Sequence, residues 1–173
     1  MAKGMASDHD IDRDFAAWLG PHLPMLRRTA RAFAAPRDQH DLLQELTVAL
    51  WKARPSFREQ SAAGTFAHRV AHNAALTWRR SETRRRLRGV SIEAELLIRD
   101  SGDDPQGPLL ERLYAAIRTL APVERSLILL SLDGVAYGEI ARLHGLTESN
   151  VGARLTRLRQ RLATQVKEDA DGL

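Results

Sequence analysis

Apolar side chains recur at helical spacing along most of the chain, and the strict alternation of a half-buried strand is almost absent. This pattern predicts an all-α fold. The predicted helices lie near residues 11–19, 23–34, 38–53, 65–86, 109–119, 123–131, 137–144 and 148–166. Residues 88–108 contain three glycines and two prolines, which are typical of a linker, with one short helical turn expected around 93–99. We therefore expect two small helical domains, at 11–87 and 109–167, joined by a flexible linker at 88–108.

The segment 137–162 predicts two short amphipathic helices around a tight break. Gly145 suits the left-handed turn that ends the first helix, and Thr147 suits the N-cap of the second. This arrangement is typical of a helix-turn-helix, in which the second helix lies in the DNA major groove. From this segment alone, an ordinary helical hairpin with a solvated basic face is the alternative. The second helix carries the arginines Arg154, Arg157, Arg159 and Arg161.

Charge is distributed in blocks along the chain, although its formal net value is only +4. Residues 27–90 carry a net charge of +9 and residues 111–167 one of +4, whereas residues 91–110 between them carry −4. Basic blocks of this kind favour binding to a polyanion, because each neutralised phosphate releases condensed counterions. A solvated basic surface is the other interpretation of the same charges.

Residues 41–51, with the sequence DLLQELTVALW, predict a helix with one apolar stripe. The leucines at 42, 46 and 50 fall on this stripe and are expected in the core. Asp41, Gln44 and Glu45 fall mostly on the other side of the helix. These three residues form either a solvated face or a docking surface for a partner.

The helix predicted at 65–86 changes character along its length. Its first half is rich in alanine, which allows close helix packing, and its second half is rich in arginine, which favours phosphate contact. Phe66 and Trp78 flank this surface, and aromatic side chains beside arginines suit single-stranded nucleic acid, since every base has a face that stacks. Core packing is the alternative for both aromatics. The arginines are Arg79, Arg80, Arg84, Arg85, Arg86 and Arg88.

The sequence contains none of the residue patterns that usually mark a metal or catalytic site. His68 and His72 stand four residues apart, but Arg69 occupies the position of the glutamate in the zinc-protease pattern, and the chain has no cysteine. A glycine-rich phosphate loop and a nucleophile elbow are also missing. We therefore expect no enzyme activity, no metal or other cofactor and no small-molecule substrate. Since no apolar run reaches about 18 residues, we also expect a cytoplasmic protein without membrane insertion.

Together these motifs resemble those of the bacterial sigma-70 family of RNA polymerase sigma factors, of the short extracytoplasmic-function (ECF) type. The resemblance covers about residues 20–166. DLLQELTVALW is similar to the family's helix that docks on the clamp helices of the polymerase β′ subunit. The loop PSFREQSAAGTF and the following HRVAHNAALTWRR are similar to the element that recognises and opens the −10 region. LAPVERSLILLSLDGVAYGEIA and the helix-turn-helix are similar to the module that recognises the −35 element.

The resemblance implies three sets of contact residues. Contacts to core polymerase are implied for Asp41, Leu42, Gln44 and Glu45, and Trp51 is implied to anchor their helix in the core. Contacts to the −10 DNA are implied for Phe57, Arg58, Ser61, Phe66, Arg69, Asn73, Trp78, Arg79 and Arg80. Contacts to the −35 DNA are implied for Thr147, Ser149, Asn150, Ala153, Arg154 and Arg157.

The same resemblance implies a function and a set of partners. The loop 57–64 is implied to hold a flipped-out base, with Asn73 near the unpaired strand. The implied partners are core RNA polymerase, through its β′ clamp helices and β subunit, promoter DNA, and a cognate anti-sigma factor. A stand-alone helix-turn-helix regulator that binds an operator as a dimer, without polymerase, is the alternative.

Three residues depart from the family pattern. Thr47 replaces an aromatic or large apolar residue in the polymerase-binding helix, and Thr77 replaces an acidic residue beside the melting surface. Gly152 replaces a lysine in the recognition helix, which removes a phosphate contact and weakens the helix by up to about 1 kcal/mol relative to alanine.

Overall fold

A computed structural model describes residues 8–58, 62–87 and 107–171. The described part of the chain contains eight α-helices and no strand, which confirms the predicted all-α fold. Ser61 and the helical turn expected around 93–99 lie outside the described residues, as does most of the expected linker. The helices are α1 Asp8–Leu19, α2 Leu23–Phe33, α3 Gln39–Ala53, α4 Ala63–Leu87, α5 Gly107–Thr119, α6 Pro122–Leu132, α7 Tyr137–His144 and α8 Glu148–Asp171.

The ends of the observed helices lie within five residues of the predicted ends. One difference affects the linker, because Gly107 and Pro108, which were expected in it, are the first residues of α5. Proline fits there because the first turn of a helix does not need its N–H group. We call α1–α4 module one and α5–α8 module two.

The core of module one is formed by α2, α3 and α4. Leu42, Leu46 and Leu50 recur every four residues along α3 and are completely buried. Burying each such side chain stabilises the fold by about 1.5–3 kcal/mol. Alanines of α4 face them and are also buried, which lets the two helix backbones approach closely. These packed helices hold the outer faces of α3 and α4 toward solvent.

Module two contains the predicted helix-turn-helix, formed by α7 and α8. Gly145 ends α7 with a left-handed backbone (φ +64°), and the N–H of Leu146 donates to the Ala141 carbonyl at 2.9 Å. Thr147 then caps α8, since its hydroxyl accepts the Asn150 N–H at 3.2 Å. The structure thus confirms the turn chemistry predicted from the sequence.

The two modules are in direct contact along a surface that we call the seam, where α2 and α4 meet α5, α6 and α7. Asp133, just after α6, forms an ion pair with Arg28 of α2, and its Oδ2 lies 2.8 Å from His68 Nε2 of α4. Two further side-chain contacts cross the seam. Arg31 Nη2 pairs with Glu111 Oε1 at 2.6 Å, and the Thr65 hydroxyl donates to Glu139.

Two arginines of module two complete the C-terminal end of α2. Arg118 Nη1 donates to the Arg31 carbonyl at 3.0 Å, and Arg125 Nη1 donates to the Ala32 carbonyl at 3.3 Å. These carbonyls belong to the last turn of α2, where a helix lacks internal partners and favours a positive charge. Burial, together with Arg79 and Arg118 nearby, lowers the pKa of Arg125 to about 10, so it stays protonated at neutral pH.

A pair of histidines also meets across the seam. The rings of His72 and His144 lie 5.7 Å apart in an edge-to-face arrangement, and His144 Nε2 lies 3.0 Å from the Ser126 hydroxyl. Burial lowers the pKa of His72 from its usual 6.5 to about 4, and His144 and His68 add to this shift. Burial also lowers the pKa of His144. The packed seam therefore favours the neutral form of both rings.

We expect the folded chain to lose stability as the pH falls from about 6.5 to about 4. In that range His72 takes up a proton when the chain is unfolded but not when it is folded, so acid favours the unfolded state. Urea unfolding at a series of pH values measures this slope. The His72→Gln variant should show a shallower slope, and His40→Gln, on an exposed helix face, controls for the loss of one histidine. Equal slopes for the wild type and His72→Gln would contradict this assignment.

Gly152→Ala should stabilise module two by about 0.5–1 kcal/mol, because alanine restricts the unfolded chain and favours helix. A Cβ atom at this position would meet the Tyr137 ring at 3.7 Å, which is an ordinary contact distance. The free energy of urea unfolding measures the change. Gly145→Ala is the matched control and should destabilise the chain, since residue 145 has a φ of +64°. A loss of stability in Gly152→Ala would show that helix propensity does not dominate there.

Candidate polymerase and nucleic-acid interfaces

The outward side of α3 presents a continuous exposed face. Asp41, Gln44 and Glu45 are exposed, as the sequence predicted for a docking surface or a solvated face. The same side continues with Val48 and Trp51, which are 43% and 49% exposed. We call these five residues the α3 face. It combines carboxylates at one end with apolar side chains at the other.

Two expectations for this helix need correction. Trp51 is not a core anchor, because about half of its surface is exposed. Leu42, expected among the polymerase contacts, is completely buried like Leu46, so its side chain lies in the core and not on the outer face of the helix. Helical spacing explains both positions. Trp51 lies seven residues after Gln44 and therefore on the same exposed face, whereas Leu42 and Leu46 lie four residues apart on the opposite, buried stripe.

Thr47 lies half-buried at the margin of the α3 face. Its hydroxyl donates to the Leu43 carbonyl at 2.9 Å, so this polar group is satisfied within the helix. This geometry explains how a threonine fits here without a partner from another helix.

Aromatic rings form a connected cluster beside the loop that precedes α4. The Phe57 and Phe66 ring centroids lie 5.1 Å apart, and the Trp18 ring lies 6.4 Å from Phe57. The guanidinium of Arg69 lies 5.8 Å from the Phe66 ring. Phe66 itself is buried, which agrees with the core-packing alternative for this residue. In this conformation its ring packs on the inner side of the cluster and is not exposed for stacking on a base. Trp18, on α1, has no motif around it and was missed by the sequence analysis.

The exposed side of α4 carries a polar stripe at helical spacing. Arg69, Asn73, Thr77 and Arg80 are all exposed, and Thr77 donates to the Asn73 carbonyl at 3.0 Å. We call these four residues the α4 stripe. Among the other residues expected near the −10 DNA, Arg58 is exposed and Phe57, Trp78 and Arg79 are half-buried, whereas Ser61 lies outside the described residues.

The first turns of α8 present the side chains expected at the −35 element. Thr147, Ser149, Asn150, Ala153 and Arg157 are exposed, and Arg154 is half-buried. The Asn150 Oδ1 atom accepts a hydrogen bond from Arg154 Nε at 2.7 Å, which ties the guanidinium to the preceding turn of α8.

An open cleft of about 390 Å³ lies between α6 and the recognition helix α8. Its lining includes Arg154, Arg157 and Arg161, with Glu124 on the α6 side. Three guanidinium groups in one cleft suit an anionic ligand such as a DNA phosphate. Arg161 extends the basic surface of α8 beyond Arg154 and Arg157. Arg159 points elsewhere, since it donates to the Ser131 hydroxyl at 2.6 Å.

The described residues offer no arrangement for metal chemistry. Within them, no group of three or more histidine, cysteine, aspartate or glutamate side chains is placed to hold an ion. His68 and His72 instead face the seam. Among the same residues, no helix has the length and apolar character needed to cross a membrane.

Comparison with known protein families matches both modules. The model of sigma-70 region 2 matches residues 18–85, and the model of sigma-70 region 4 matches residues 110–162. Together these matches span more than half of the chain. They cover α2, α3 and most of α4 in module one, and the helix-turn-helix in module two.

Characterised relatives carry the same family name. The chain is 29% identical to the ECF RNA polymerase sigma factor SigG of Mycobacterium tuberculosis, over 92% of this chain and 50% of SigG. It therefore spans about half the length of that relative. It is also 29% identical to the ECF RNA polymerase sigma factor SigF of Caulobacter vibrioides, over 99% of this chain and 94% of SigF.

Two solved structures share the fold. One is the sigma factor RpoE in complex with the anti-sigma factor NepR from Bartonella quintana, with a TM-score of 0.69, 24% identity and coverage of 90% of this chain and 98% of that one. The other is CnrH in complex with the cytosolic domain of CnrY, with a TM-score of 0.59, 22% identity and coverage of 91% and 90%. With both of its conserved regions matched in order, the chain belongs to the sigma-70 family, as a sigma factor of the ECF type.

Proposed function

We propose that this chain is a dissociable subunit that directs core RNA polymerase to promoters. The α3 face binds the clamp helices of the β′ subunit, module two binds the −35 duplex through α8 and contacts the β subunit, and module one captures the unpaired −10 strand along the α4 stripe. The chain carries out no chemical step, and the polymerase supplies the catalysis.

The observation that carries this proposal is the composition of the α3 face. Val48 and Trp51 lie exposed on a helix whose opposite stripe is fully buried, so they are not needed for the core. Partly exposed tryptophan beside charged groups is typical of the centre of a protein interface, where aromatic anchors contribute most of the binding energy. A helix-turn-helix regulator that works without polymerase has no use for such a face in this position.

The DNA contacts follow from charge and hydrogen-bonding groups. Arg154 and Arg157 reach either a guanine edge or a phosphate, and Asn150 suits an adenine edge. On the α4 stripe, Arg69 and Arg80 neutralise phosphates while Asn73 offers an amide to an unpaired base. Extruding a base costs a few kcal/mol, which contacts in the loop 57–64 and stacking on aromatic rings offset.

A cognate anti-sigma factor is the third proposed partner. Both solved structures with this fold hold a sigma factor together with an anti-sigma protein or its domain. The exposed basic surfaces of α4 and α8 and the apolar end of the α3 face are the surfaces that such a partner would cover in this chain.

A run-off transcription assay with sigma-free core polymerase tests the proposed function. Addition of the chain should produce a promoter-dependent transcript. A chain that binds duplex DNA tightly on its own but gives no such transcript would instead be a stand-alone regulator, and the proposal would be wrong.

The variant Gln44→Ala with Glu45→Ala should weaken binding to core polymerase about tenfold, because it removes polar side chains of the α3 face without changing the buried stripe.

Trp51→Ala should weaken the same binding by about 30-fold, since truncation of an aromatic anchor typically costs about 2 kcal/mol or more. Fluorescence anisotropy of the labelled chain titrated with core polymerase measures both. Glu168→Ala, an exposed change near the end of α8, is the control and should bind as the wild type does. Unchanged affinity in the α3 variants would remove this face as the docking site.

A further inference from the structure

The exposed surface of the recognition helix α8 has a centre and two flanks. Its buried stripe is formed by four apolar side chains, Val151, Leu155, Leu158 and Leu162. Ser149 and Ala153 lie opposite this stripe, and the arginines of the cleft lie on one flank. Because a helix turns about 100° per residue, Arg159 lies about 160° around the axis from Arg157, on the other flank. The side of α8 that faces away from the cleft therefore carries a cation of its own.

Arg159 is held in place by two hydroxyl groups from two other helices or their ends. Its Nη2 atom donates to the Ser131 hydroxyl of α6 at 2.6 Å, and its Nη1 atom donates to the Tyr137 hydroxyl of α7 at 3.3 Å. Both acceptors are uncharged, and no described carboxylate forms an ion pair with this arginine. The guanidinium is thus fixed without being neutralised. A long side chain normally loses conformational freedom when it binds an anion, whereas these two hydrogen bonds order Arg159 beforehand.

The same three side chains retain several hydrogen-bond donors for a ligand. A guanidinium has more N–H groups than the two that Arg159 uses on Ser131 and Tyr137. Each hydroxyl accepts from Arg159 and keeps its own proton, which it can donate to a further acceptor. Arg159 is exposed, and the two hydroxyl residues are half-buried beside it. One positive charge surrounded by donors suits a phosphate oxygen, which is negatively charged and only accepts hydrogen bonds.

Gly152 leaves this flank open. It lies two turns before Arg159 on the same side of α8, and a Cβ atom there would lie 3.7 Å from the Tyr137 ring. The ring therefore packs beside the backbone of α8, with its hydroxyl next to Arg159. Within residues 148–162, Arg159 is the basic residue of this flank, because the other three arginines of the helix line the cleft.

A helix that lies in the major groove has a sugar–phosphate strand on each side. The arginines of the cleft reach the strand on one side of α8, so the other strand faces the flank of Arg159. We propose that Arg159, Ser131 and Tyr137 form a second phosphate site, which binds the DNA strand opposite to the one bound by the cleft. Arg159 supplies the charge, and the two hydroxyl groups position it. This inference rests on the proposed function, because α8 must lie in the groove for both flanks to meet DNA.

The salt dependence of duplex binding reports how many phosphates the chain contacts. Loss of one contact makes the slope of log Kobs against log salt concentration shallower by about 0.9. Arg159→Gln should show this change and should bind about tenfold more weakly at low salt, since hydrogen bonds to charged groups are the stronger ones. Fluorescence anisotropy of a labelled DNA duplex titrated with the full chain measures both.

The control Lys167→Gln removes the same charge from an exposed position of α8, about 12 Å further along the helix, and should keep the wild-type slope. Equal slopes for Arg159→Gln and Lys167→Gln would overturn the site. Arg159→Lys retains the charge and should keep the wild-type slope as well. A shallower slope in Arg159→Lys would show that residue 159 acts on the structure of α8, and the phosphate assignment would be wrong.

Two duplexes of unrelated sequence separate a phosphate contact from a base contact. Phosphates carry no sequence information, so Arg159→Gln should lose the same factor of affinity on both. A loss confined to one duplex would mean that Arg159 reads a base, which contradicts the proposal.

A double-mutant cycle tests whether the hydroxyl of Tyr137 acts through Arg159. Tyr137→Phe keeps the ring beside Gly152 and removes only the hydroxyl, so it should weaken duplex binding about threefold. In the Arg159→Gln background the same change should have no further effect, because both groups belong to one site. Additive losses would show that the hydroxyl does not position the guanidinium.

These measurements use the chain without polymerase and are independent of the run-off assay. If Arg159→Gln has a shallower slope but the wild type gives no promoter-dependent transcript, the phosphate site stands and the proposed function fails. If the transcript forms and the slopes are equal, the proposed function stands and this site fails.

Discussion

Two positively charged modules share one apolar core in this chain, and carboxylates of module two offset their charge repulsion where they meet. Residues 27–90 carry a net charge of +9 and residues 111–167 one of +4, so the modules repel each other at long range. Asp133 offsets this repulsion at the seam, where it faces both Arg28 and His68. Its position depends on the end of α6, where Gly134 turns the chain with a φ of +74°. Contact between the two modules therefore depends on ion pairs as well as on the packing of apolar side chains.

This constraint divides α4 into two faces with different tasks. Thr65, His68 and His72 lie on the side that contacts module two, whereas Arg69 and Asn73 point to solvent one residue further along the helix. Because a helix turns 100° per residue, the polar residues of the seam and the proposed DNA-binding residues alternate in sequence without sharing a surface. The contact between the modules therefore leaves the α4 stripe exposed.

The spacing of apolar residues made the helices predictable from the sequence, whereas the contacts of charged residues across the seam could not be predicted. All eight helices follow from apolar spacing, and the break at Gly145 follows from backbone preference, because both are local effects. Trp51 was misplaced because its large apolar side chain suits either a core or an interface, although helical spacing puts it on the same face as Gln44. Arg125 and Asp133 carry no sequence signal of burial, since charged residues are usually exposed. Arg125 reaches Ala32 and Asp133 reaches Arg28, each more than 90 residues away in the chain, and only the tertiary fold brings these pairs together.

The seam combines polar contacts with an apolar core that runs through both modules. An apolar contact gains about 25 cal/mol for each Å² that it buries. Ion pairs that coexist with unpaired buried nitrogens add a smaller net stability, because part of their gain is offset by desolvation. The apolar part of the seam therefore contributes most of its stability, whereas the ion pairs fix which surfaces of the two modules meet.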